Sequence, residues 1–93
     1  MPKVRCFVTL NMTTSFDTLM TPGYYVFSSL LTDANSPGLP NKLSGKAGSC
    51  TVTALVGNGV RQVFAGRDNQ KIYYRVWNGI NWSVISEVMS ANI

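Results

Sequence analysis

Four short runs of β-branched and aromatic residues, cut apart by glycine, asparagine and aspartate, dominate the second half of the chain. They are Cys50–Val56, Val60–Phe64, Lys71–Trp77 and Trp82–Val88. Runs of this length and composition favour strands, and the residues between them favour turns. Gly57-Asn58-Gly59 supplies positions that accept a positive φ, so a hairpin is predicted there. Asp68-Asn69 fills a similar gap before Lys71, and Asn78-Gly79 after Trp77 is the strongest two-residue hairpin signal in the chain. The pattern predicts an antiparallel meander from about Ser49 to Val88.

The first half is less regular. Tyr24–Phe27 reads as a strand, and Cys6–Leu10 is a weaker candidate. Thr14 or Ser15 can cap a short helical turn over Phe16–Met20, which Pro22-Gly23 stops, and Asp17 suits the positive end of that turn. Between Thr32 and Gly48, Pro37, Pro40, Gly38, Gly45 and polar neighbours predict a long loop, a feature that is either functional or mobile in a small domain. The expected fold class is mainly β (α+β with one short helix), a single twisted antiparallel sheet of four to five strands. With 93 residues, 1–93 reads as one domain, whose residues 1–13 are an N-terminal strand or connector.

The composition narrows the chemistry. There is no histidine, which removes Ser-His-Asp and Cys-His catalysis and any imidazole-based zinc site. Asp17, Asp33, Asp68 and Glu87 are the only acids and lie on separate segments, so the chain reads as a non-enzyme with no metal and no cofactor. Cys6 and Cys50 have no metal-ligand spacing and sit in apolar stretches, as buried free thiols do. The formal charge of +4 suits an anionic partner, yet the basic residues are dispersed rather than gathered into an arm. No secretory leader and no membrane-spanning run is read, so the chain is expected to stay in the cytoplasm until assembly.

An ordered set of landmarks adds a family. Phe16-Asp17-Thr18-Leu19-Met20-Thr21-Pro22-Gly23-Tyr24-Tyr25 resembles the opening of the pyocin-knob type domains of phage and pyocin tail fibres. Ala34-Asn35-Ser36-Pro37 is similar to the next landmark, and Arg61-Gln62-Val63-Phe64 to a strand with glutamine before an aromatic. Arg75, Asn78, Gly79, Trp82 and Ser83 match the closing pattern, with Ile85 where that pattern has a second tryptophan. The resemblance covers residues 14–88. It implies a trimeric fibre component of the virion, made in a bacterial host and attached to a cell surface, and it supplies no catalytic residues.

Within the strand 71–77, alternation places Lys71, Tyr73, Arg75 and Trp77 on one face and Ile72, Tyr74 and Val76 on the other. The aliphatic set is the expected core face. The first set, two cations beside two flat rings, is the candidate ligand-binding surface for a bacterial surface glycan, or else a cross-strand packing row with basic stems covering the rings. Tyr24 and Tyr25 are expected to face opposite ways. The expected function is a non-catalytic tail-fibre module that contributes to fibre structure and surface attachment as a homotrimer, with glycan contact expected at the loop 32–48 and the outward face of strand 71–77. The alternatives are a small single-stranded nucleic-acid-binding domain, for which no ribonucleoprotein motif is present, and a structural fibre spacer without a ligand.

Overall fold

The computed structural model describes residues 7–11, 14–67 and 71–88. The chain forms one six-stranded sheet in sequence order: β1 (Val8–Thr9), β2 (Gly23–Phe27), β3 (Gly48–Leu55), β4 (Gly59–Gly66), β5 (Ile72–Trp77) and β6 (Ser86–Glu87). The mainly β expectation holds, with two corrections. The sheet has six strands rather than four to five, and it is mixed, because β1 runs parallel to β2 while every other neighbouring pair is antiparallel. A two-residue edge strand carries too few side chains to announce itself by alternation, which is why its direction was not legible. The predicted last strand is also shorter: Trp82 makes a single bridge to Trp77, and pairing resumes only at Ser86.

The turn chemistry accounts for the meander. Gly57 and Asn58 both take positive φ, 79° and 63°, and close the β3–β4 hairpin. At the next corner Gly79 takes φ 98°, while Asn78 Oδ1 accepts the backbone N–H groups of Ile80 and Asn81, each at 2.8 Å. The predicted turn at Asp68-Asn69 lies outside the described residues, as does Cys6. In place of one short helix, the described residues contain two single-turn 3-10 helices, Phe16–Thr18 and Asn41–Leu43. Ser15 stands at the N-cap of the first, without a side-chain capping bond.

The core lies between one sheet face and a layer of turns. Tyr25, Cys50, Phe64 and Tyr73 stand side by side across β2 to β5 on the inner face. Phe16, Leu31, Leu39 and Leu43 from the turns close over them, all buried. Phe16 meets Phe27 and Phe64 edge-on at 5.6 and 5.5 Å between ring centres. The segment 32–48 is thus tied to the core rather than being a free loop: Leu39 and Leu43 are its apolar anchors. Tyr25 faces in and Tyr24 faces out, as alternation requires. The outer face carries Val26, Val63, Tyr74 and Val76, partly exposed, with Tyr24 and Ile72 more open.

Candidate functional site

The two faces of β5 are reversed relative to expectation. Tyr73 and Arg75 are buried, Trp77 packs against the core, and Ile72 is exposed. Aliphatic side chains were expected inside because an arginine in a core is costly unless its charge and donors are met. Here they are met. Arg75 Nε donates to Gln62 Oε1 at 2.8 Å, and Nη1 donates to Asp17 Oδ1 at 2.9 Å. The guanidinium also lies over the Trp82 ring, 3.9 Å from its centre. Burial pulls the Arg75 pKa down, and the hydrogen bond and charge of Asp17 oppose that shift.

Gln62 is the other half of this arrangement. Its Nε2 donates to the carbonyls of Phe16 and Leu19 at 2.7 and 2.9 Å, so the first 3-10 turn is tied to the centre of β4. Trp82 Nε1 donates to the Asp17 carbonyl at 3.2 Å, bringing the β5–β6 connection to the same turn. Gly38, with φ 91°, sits against the group: a Cβ there would lie 2.5 Å from Arg75 Nη2 and 2.7 Å from Asp17 Oδ1. Arg75 Nη2 is buried without a hydrogen-bond partner. The arrangement joins the turns to the sheet, with the Arg75 side chain buried and the Asp17 side chain 48% exposed.

The open feature nearby is a groove of about 350 Å³ between the second 3-10 turn and the last two strands. Pro40, Asn41 and Lys42 form one wall, Ile85 and Glu87 the other, and the Tyr73 side chain lines it between them. Lys71 Nζ donates to Glu87 Oε2 at 2.9 Å, and both side chains are substantially exposed. That bond and the carboxylate charge raise the Lys71 pKa. Of the four residues singled out in the sequence, Tyr73 lines the groove and Lys71 acts at its rim through Glu87. Arg75 and Trp77 belong to the interior instead.

Ile85 and Glu87 were not read as site residues, and Asn41 and Lys42 only as part of the loop 32–48. They lie 30 or more positions from the wall they face or carry no motif of their own, and only the tertiary fold brings them together. Gln62 and Asp17 were read as a landmark and a helix-start acid. The available signal for their pairing was that Arg75 shares a face with Tyr73 and Trp77, so that, once this face is buried, it must find an acceptor. Among the described residues no cluster of three or more His, Cys, Asp or Glu could hold a metal ion. No helix among them is long and apolar enough to cross a membrane. In comparisons with protein families, curated proteins and solved structures, no match was found.

Proposed function

We propose that this chain is a non-catalytic module of a phage or prophage tail fibre that attaches to a bacterial surface polysaccharide through the groove between Pro40–Lys42 and β5–β6. The observation that carries this reading is the groove itself, built on Tyr73 and Glu87 within the region of family resemblance. It combines aliphatic walls for the C–H face of a sugar with an amide, an ammonium and a carboxylate for its hydroxyls, the mix that small polar ligands require. The ordered landmarks from residue 16 to residue 83 supply the fibre context.

The homotrimer expected of such a fibre has support in the outer face of the sheet. Tyr24, Val26, Val63, Ile72 and Tyr74 leave an apolar surface that copies of the chain would cover. Three grooves on one fibre raise avidity without a tight single site. The nucleic-acid alternative is disfavoured by the same geometry. Tyr73, the aromatic residue at the groove, is only 4% exposed and offers no open ring face for a base to stack on.

Labelled protein applied to a panel of encapsulated bacterial strains tests the reading. Binding to a subset of strains, abolished when surface sugars are oxidised with periodate, is the expected outcome. Binding that survives periodate, or none to any strain, contradicts it.

A further inference from the structure

We infer that the groove selects an acidic sugar, a hexuronic acid unit within a longer polysaccharide, with the Lys42 ammonium as the partner of its carboxylate. This rests on the attachment reading above and adds the class of ligand. The argument is one of charge. Two ionic side chains line the groove, Lys42 and Glu87, and Lys71 stands beside it as the partner of Glu87. Glu87 is already neutralised by Lys71 at 2.9 Å. Among the described residues, no ion pair or side-chain hydrogen bond engages Lys42. It is exposed on the 3-10 turn Asn41–Leu43, whose Leu43 is fully buried and fixes the turn in place. Among the described residues lining the groove, the free charge is therefore one cation, held on a wall anchored in the core.

The rest of the lining suits a sugar ring. Pro40 and Ile85 present aliphatic surface, and the Asn41 amide offers both donors and an acceptor. Glu87 has a second carboxylate oxygen for a hydroxyl. The volume of about 350 Å³ is at the small end of the range for ligand sites, about 300–1,000 Å³, and fits a single ring of a chain that continues beyond the groove. A neutral ring would leave the Lys42 ammonium without a partner, and a phosphodiester would meet one cation where such sites gather several.

The role of Lys71 follows from the same arithmetic. It is a positioning residue: removing it releases the Glu87 charge beside the incoming carboxylate.

The test is an array printed with uronic-acid-containing and neutral bacterial polysaccharides, probed with the full chain at low and high salt. The expected result is binding to acidic polysaccharides that falls several-fold from about 50 to 200 mM salt, since the contact is exposed. Lys42→Glu should lose tenfold or more, and Lys42→Arg should retain binding. Lys71→Ala should weaken it, and adding Glu87→Gln to Lys71→Ala should restore it, an effect that a structural role for Lys71 would not produce. Binding to neutral polysaccharides with Lys42→Glu unaffected overturns the inference and leaves the attachment reading standing. No binding to any polysaccharide overturns both.

Discussion

Gln62 and Arg75 show how a polar pair can replace apolar packing at the centre of a small sheet. Both side chains lie on the inner face, where Arg75 Nε donates to Gln62 Oε1. Gln62→Leu would strand the carbonyls of Phe16 and Leu19 and one donor of Arg75. The expected loss is about 3 kcal/mol, since each buried group left unsatisfied costs about 1–3 kcal/mol. Urea unfolding monitored by tryptophan fluorescence measures it, and a change below about 0.5 kcal/mol would contradict the role given to Gln62. Cys50, fully buried on the same face, behaves differently. Burial pushes its thiol from 9.0 up to about 12, with the Arg75 charge acting weakly the other way. The folded state therefore holds the proton more tightly than the unfolded state. That contribution is complete below pH 9 and declines as the pH rises towards 12, by up to about 1.4 kcal/mol per unit. The difference in stability between the wild type and Cys50→Ala, followed from pH 8 to 11 by denaturant unfolding, should shrink over that window. A constant difference would contradict it.

The strands and hairpins were legible because their signals are local. Val60–Phe64 carries its own β-branched and aromatic residues, and Gly57-Asn58 carries its own positive φ. The segment 32–48 was not legible, because its proline and glycine content describes the backbone's turns and says nothing about what its leucines touch. Leu39 and Leu43 are spaced by four with no strand or long helix to reveal a face, yet both are buried. The same gap hid the groove, which exists only because the turn at Pro40–Lys42 is pinned across β5. Leu43→Ala should cost about 2–5 kcal/mol, as for a core leucine in a regular element. A cost near that of an exposed leucine, within about 0.5 kcal/mol by thermal unfolding, would mean that 32–48 is a surface loop after all. The reversed faces of β5 have a related cause. Alternation correctly separated Tyr73 and Arg75 from Ile72 and Tyr74, but which set is inside depends on Asp17 and Gln62, residues 58 and 13 positions away.

On the scale of the whole molecule, the sheet is covered on one face and open on the other. A layer of turns supplies Phe16, Leu31, Leu39 and Leu43 to the inner face, while Val26, Val63 and Tyr74 remain partly in water. That asymmetry suits a module whose second face is covered by copies of itself. Sedimentation of the pure chain should then give a trimer that Val63→Glu converts to monomer, and a monomeric wild type would contradict assembly through this face. Attachment through the groove is independent of that outcome and is tested most directly by filling the groove. Ile85 lines the wall, is 37% exposed, and tolerates a longer side chain without disturbing the core. Ile85→Glu, compared with wild type for binding to susceptible bacterial cells, should abolish binding while the unfolding temperature stays the same. Cell binding unchanged by a groove filled in this way would contradict the assignment of attachment to this site.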